Sequence, residues 1–167
     1  MTRDNRRQVL SDLYGKLDRE VACSVLADDF FMHEAGRDEK IYGRDDFMSM
    51  VYGSVLPAIP DFQWCAATTN ELDRDGFVVV TVQARGHHTG VPFSLPGLPA
   101  IEPSGRHFSL PEQALMVRVV DGLVKEIKVF PVRGAGPLGM YVALGGELPL
   151  DPAKALAQDP SVSMPLP

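Results

Sequence analysis

The hydrophobic period of this chain changes near residue 60, and that change limits the folds open to it more than any motif does. Before it, Val9, Leu10, Leu13, Tyr14 and Leu17 recur at three- and four-residue steps, the spacing of one apolar helix face. A second helical stretch carries Val21, Val25 and Leu26 and is expected to end at the acidic pair Asp28 and Asp29. A third is expected from about Asp45, capped there by an aspartate, through Phe47, Met50 and Val51 until Pro57 and Pro60 close it. After residue 60 the segments FQWCAATT, FVVVTVQARGHH, HFSLPEQALMVRVV and LVKEIKVFPV are rich in β-branched and aromatic residues. Turn chemistry separates them: DRDG at 73–76, the Pro/Gly-rich stretch from Pro92 to Gly105, and Asp121-Gly122, the strongest hairpin signal. Helices first and mostly antiparallel strands afterwards define the α+β class.

No internal repeat divides the 167 residues, so one domain is expected over 1–148, with a proline-rich tail over 149–167. The formal net charge of -6 argues against a nucleic-acid partner, because phosphate contacts need a basic surface. No apolar run approaches the roughly 20 residues that span a bilayer. The opening stretch MTRDNRRQVLSDLYGKL lacks the apolar core of a secretory signal, so a cytoplasmic location without membrane contact is expected. Cys23 and Cys65 make no CxxC and lie in apolar contexts, which predicts buried free thiols. Residues 134–139, GAGPLG, match a dinucleotide-binding fingerprint in spacing only. Pro137 stands inside the motif, and a short proline-rich stretch follows where the fingerprint needs a helix and then a parallel strand.

Chemistry is concentrated in GHHTG, residues 86–90, which ends a strand-like run in a chain with four histidines. Successive strand side chains point to opposite faces, so His87 and His88 do not readily chelate one ion together. A metal site would need His33 and His107 to converge with one of them and a carboxylate, and no spacing requires that, so no metal is expected. The expected arrangement turns one histidine inward and the other to solvent or a partner subunit. An inward histidine either moves protons or only shapes a pocket. His33, after the FFM run, has the same two readings, and His107, at a strand start, is expected to be exposed. Glu112 and Gln113 lie in an apolar strand region, where one of them faces inward. An inward Glu112 would have a raised pKa and serve as acid or base, while an outward one would only be solvated. Arg85 could hold an anionic or enolate oxygen, or pair with a surface acid.

Several segments, in order, resemble the SnoaL-like polyketide cyclase branch of the NTF2-like superfamily. These are LADDFFMH, Gly43 to Phe47, Pro60-Asp61-Phe62, RGHHTG at 85–90, PSGR at 103–106, VRVVDGLVKEI and GPLGMYVALGG, together spanning roughly residues 10 to 146. The resemblance implies a cone-shaped α+β barrel, in which a curved, mostly antiparallel sheet wraps N-terminal helices around a deep apolar cavity, and it implies a homodimer. It also implies His88 as the family's histidine. Candidate acid–base residues are then His88, His33 and Glu112, and candidate substrate-binding residues are Arg85, Trp64, Phe30, Phe93, Met116 and Phe130. Two functions follow as expectations. One is a metal- and cofactor-free enzyme that acts by general acid–base catalysis on an apolar, carbonyl-containing small molecule, by aldol-type cyclisation or isomerisation. The other is a noncatalytic domain for hydrophobic-ligand binding or dimerisation. The family's cyclases carry an aspartate at the end of the last strand, where this chain has Pro131 or Val132. The resemblance therefore leaves the base to one of the named groups.

Overall fold

The computed structural model describes residues 3–37, 40–72 and 75–149. Helix α1 (Arg3–Gly15) presents Val9, Leu10, Leu13 and Tyr14 to the interior, as their spacing requires. Helix α2 (Arg19–Val25) starts where Asp18 accepts a hydrogen bond from the Val21 N–H at 3.0 Å, a side-chain cap. The chain then turns directly into strand β1 (Leu26–Glu34). Asp28 and Asp29, expected to end a helix, are exposed strand residues, and the Asp29 carboxylate pairs with Lys125 at 2.7 Å. Strand β2 (Lys40–Gly43) leads to α3 (Arg44–Met48), which opens with the Gly43 N–H on Asp46 rather than a cap at Asp45. The helix widens into π-helical turns over Ser49–Val55 and finishes as the short α4 (Leu56–Ala58).

The β half follows the sequence pattern more closely. Strands β3 (Ala67–Leu72), β4 (Phe77–Val82), β7 (Gln113–Val120) and β8 (Leu123–Val129) join β1 and β2 in one sheet of order β2-β1-β8-β7-β4-β3. All of its pairings are antiparallel except β1 with β8, and the sheet does not close on itself. The hairpin at Asp121-Gly122 forms as its dipeptide predicts, with both residues at positive φ. Strands β5 (Arg85–His87) and β6 (His107–Ser109) make a separate two-stranded ribbon. Helix α5 (Gly136–Ala143) begins within the glycine-rich GAGPLG stretch, and no strand follows it among the described residues. The described residues thus form a mixed α+β fold with a curved open sheet, and residues 150–167, which include most of the expected tail, lie outside them.

Two apolar clusters hold these layers together. The larger packs α1 to α3 on one sheet face, with Phe30, Val80, Val117, Val124 and Ile127 fully buried. The smaller joins the end of the long helical segment to the β5–β6 ribbon and α5 through Ile59, Phe62, Phe93, Phe108 and Tyr141. Tyr141 closes it by donating its hydroxyl to the Pro99 carbonyl at 2.7 Å.

Candidate ligand site

Trp64, the chain's single tryptophan, stands where the two clusters meet. Its ring takes edge contacts from Phe62 at 4.9 Å and Tyr14 at 5.7 Å. On one side lies a small, partly open cavity of about 60 Å³, bounded by Met50, Val55, Val82, Ala84, Leu110 and Met140 among others. Its lining is apolar apart from Gln113, whose amide donates to the Phe130 carbonyl at 3.2 Å. On the other side lies a groove of about 360 Å³ between α1 and the start of β3, bordered by Arg7, Ser11, Tyr14, Gln63, Cys65 and Thr68. Trp64 is part of the wall of both spaces. Small-molecule sites usually have about 300–1,000 Å³, so the groove has that capacity and the cavity in this conformation does not. The Tyr14 hydroxyl is buried without a partner beneath the groove, and burial pushes its pKa well above the ordinary tyrosine value. Cys65 holds a left-handed backbone, φ 47°, at the groove's edge. Its thiol was expected to be buried and is exposed, while Cys23 is half-buried and both are free.

The candidate acid–base residues do not converge on either space. His88 is fully buried; its Nε2 lies 3.0 Å from the Val91 carbonyl and its Nδ1 has no partner. The donor on that bond is the imidazole N–H, which leaves Nδ1 an unshared electron pair in the interior. His33 is buried against Glu126, Nε2 to Oε1 at 2.7 Å, with Nδ1 on the Arg37 carbonyl at 2.9 Å. Glu126 in turn accepts from Arg118 at 2.8 and 3.1 Å. Because Arg118 alternates with the core residues Val117 and Val119, this three-residue network lies on the sheet face turned away from the helices and the cavity. Of Glu112 and Gln113, one of which was expected to face inward, Gln113 opens β7 and borders the cavity, while Glu112, just before it, is exposed.

The expected binding residues divide in the same way. Trp64 borders the cavity, while Phe30 and Phe93 are fully buried in the two separate clusters. Met116 alternates with Leu115 and Val117 and so points to the outer sheet face, and Phe130 is 40% exposed past the end of β8. Arg85 is exposed and does not border either space itself, but it donates at 3.1 and 3.3 Å to Oε1 of Gln63, a residue of the groove's border. Among the described residues no group of three or more histidine, cysteine or acidic side chains could hold a metal ion, and no helix is long and apolar enough to cross a membrane.

The glycines of GHHTG have a steric reason. A Cβ on Gly86 would run into the Ile59 side chain, and one on Gly90 would overlap the Pro57 carbonyl. Only glycine lets this backbone lie so close to the turn over 57–62, where the Gly90 N–H reaches the Ala58 carbonyl at 3.0 Å. That approach delivers Asp61 to His87: Oδ1 accepts the His87 backbone N–H at 2.8 Å and Oδ2 lies 2.7 Å from Nδ1. These bonds, the backbone one foremost, hold the Asp61 pKa below its ordinary value. His87 faces solvent and His88 the interior, as alternation predicts, and His107 is exposed as expected.

A family model of the SnoaL-like polyketide cyclases matches residues 5–131, across both the helical and the β half. The chain belongs to the SnoaL-like polyketide cyclase family. Solved structures agree on the fold. AclR from Streptomyces galilaeus, assigned as a hydroxylase, superposes with a TM-score of 0.60 at 19% identity, over 89% of this chain and 100% of that one. A protein from Jannaschia sp. CCS1, assigned as a SnoaL-like polyketide cyclase, gives 0.58 at 16% identity, over 87% and 94%. IdmH from Streptomyces antibioticus, assigned as a polyketide cyclase, gives 0.54 at 23% identity, over 83% and 97%. Likenesses at these identities carry the fold alone. No curated protein matches the chain.

Sequence reasoning missed Glu126, Arg118 and Tyr14 within this SnoaL-like chain. Glu126 had a visible signal, an acidic residue between Val124 and Ile127 in an otherwise strand-like run. Tyr14 had none, because it occupies an ordinary position on the apolar face of α1.

Proposed function

We propose that this member of the SnoaL-like family binds an apolar, carbonyl-containing small molecule beside Trp64, selecting it by shape and apolar contact. The observation that carries this reading is the cavity lining, which has Gln113 as its polar side chain and no titratable group. The place after β8 where cyclases keep an acid is filled here by Pro131 or Val132. A ligand larger than two or three atoms needs more room than about 60 Å³, and Trp64 lies between that cavity and the larger groove. Rotation of its ring would join the two, with Met50 and Met140 yielding as flexible thioethers do.

A second reading rests on the unpartnered Nδ1 of His88. A buried imidazole with a free electron pair is a base, and it would take a proton from the carbon beside a ligand carbonyl once the interior widened around the substrate. That is the first half of an aldol cyclisation or an isomerisation. We also propose that the outer face of the main sheet, with Phe31 and Met116 half-buried beside Arg118, pairs with a second copy of the chain.

The single tryptophan makes the test direct, since all indole emission reports this site. Titration with a bicyclic aromatic ketone such as 1-tetralone is expected to shift Trp64 emission saturably, and Ala84→Phe, which fills the cavity, is expected to abolish the shift. An unchanged response in Ala84→Phe would sink the proposal. Deuterium exchange at the ketone's α-carbon that disappears in His88→Asn would favour the enzymatic reading over simple binding. Sedimentation equilibrium reads the dimer.

A further inference from the structure

The exposed face of the β5–β6 ribbon carries a group of side chains that neither functional reading uses. The register sets His87 directly opposite His107, and the two rings lie 4.8 Å apart between centres at 54°. Asp61 stands behind His87 and takes both its backbone N–H and its Nδ1–H. The carboxylate therefore fixes the tautomer: the proton sits on Nδ1, and the Nε2 electron pair points away from Asp61. Histidines that bind metals are held this way, with the second ring nitrogen donating to a carboxylate. Two imidazoles that share one ion through nitrogens at about 2.0–2.1 Å have ring centres about 5 Å apart, which is the spacing found here. Arg85, the next residue on this face of β5, turns its guanidinium to Gln63, and Arg106 is the exposed neighbour of His107 in the chain. The Asp61 charge lies on the other side of the pair.

We propose that His87 and His107 form a surface site for one divalent first-row transition ion, bound through two imidazole nitrogens and oriented by Asp61. Imidazole donors select the Zn²⁺, Ni²⁺ and Cu²⁺ class over Mg²⁺ or Ca²⁺. Two protein ligands leave coordination positions for water or for an oxygen of a small molecule, so the site is open and exchangeable rather than structural. The remaining histidines, His33 and His88, are buried with at least one ring nitrogen engaged and do not compete for the ion.

The test is calorimetric titration of the full chain with Cu²⁺ and with Zn²⁺, joined to electron paramagnetic resonance of the copper form. The expected result is one ion per chain and two-nitrogen hyperfine structure on copper. His87→Gln and His107→Gln are each expected to weaken binding at least tenfold, while Asp61→Asn keeps the stoichiometry and weakens binding by about 10–100-fold. His33→Gln serves as the control and is expected to bind as the parent does. Binding that persists unchanged in both His87→Gln and His107→Gln overturns the proposal, and so does the absence of binding at millimolar copper. All three site residues are exposed, so circular dichroism unchanged from the parent separates loss of the ion from loss of the fold.

Discussion

The two faces of the β7–β8 hairpin differ in kind. Toward the helices, Leu115, Val117, Val124 and Ile127 are buried in the larger apolar cluster. Toward the other side, Arg118, Glu126 and Lys128 line up, with His33 from β1 closing onto Glu126. Phe77 adds its ring there, with Lys128 Nζ 4.3 Å from its centre. Arg118, Glu126 and Lys128 of this hairpin are therefore kept away from the helices and the cavity. The difference teaches that a strand rich in titratable residues need not supply any of them to the cavity beside it. Here the apolar face holds the fold together and borders the candidate ligand site, while on the charged face His33, Glu126 and Arg118 hydrogen-bond to one another and Lys128 lies over Phe77.

The comparison is sharpened first by substitutions across it. Ile127→Ala leaves a hole at a fully buried position and is expected to lower unfolding free energy by about 2–5 kcal/mol, read by urea denaturation. Met116→Ala, on the outer face of the same hairpin, is expected to change it by less than about 1 kcal/mol. Equal losses would break the distinction between the faces.

Glu126→Ala tests the charged side. It strips His33 Nε2 of a 2.7 Å partner at a buried site, while Arg118 can still reach water, so a loss of about 1–3 kcal/mol is expected. A neutral result would mean that the network is dispensable. A smaller effect of opposite sign is expected beside Trp64: Cys65→Gly relieves a left-handed backbone at an exposed residue and should raise stability by up to about 1 kcal/mol, seen as a higher Tm.

The smallest expected effect is the pH dependence at Asp61. Its pKa is lowered in the fold, so its contribution is present above the unfolded value, about 3.9, and is lost as pH falls through the lower folded value. The Tm gap between the parent and Asp61→Asn should accordingly persist from pH 7 to 5 and narrow toward pH 3. A gap that widens on acidification would contradict the direction of the shift.

How much was legible follows from range. The apolar face of α1, the Asp121-Gly122 hairpin, the split of His87 from His88 and the α+β class are encoded in residues within a few positions of one another, and local periodicity or turn chemistry reads them. The LADDFFMH run was read as the end of a helix leading into a short apolar run, and it is a strand because β2 and β8 supply hydrogen bonds on both of its edges. Those partners are distant in sequence, so no local pattern could announce them. The apolar run announced one inward position between Glu112 and Gln113, and which residue takes it depends on where β7 begins, at Gln113.

By itself, the sequence determined the fold class, the family and the chemical inventory, because period, turn residues and motif order are properties of short stretches. Only the tertiary structure decided which side of the sheet each titratable group occupies. Arg118 pairs with Glu126 and Val119 with Val124, so the register slips between them. Strict alternation from Val124 would have put Glu126 inward beside the helices. The bulge instead returns Ile127 to the core and sends Glu126 outward to His33 and Arg118, because one extra residue in a strand reverses the face of everything after it.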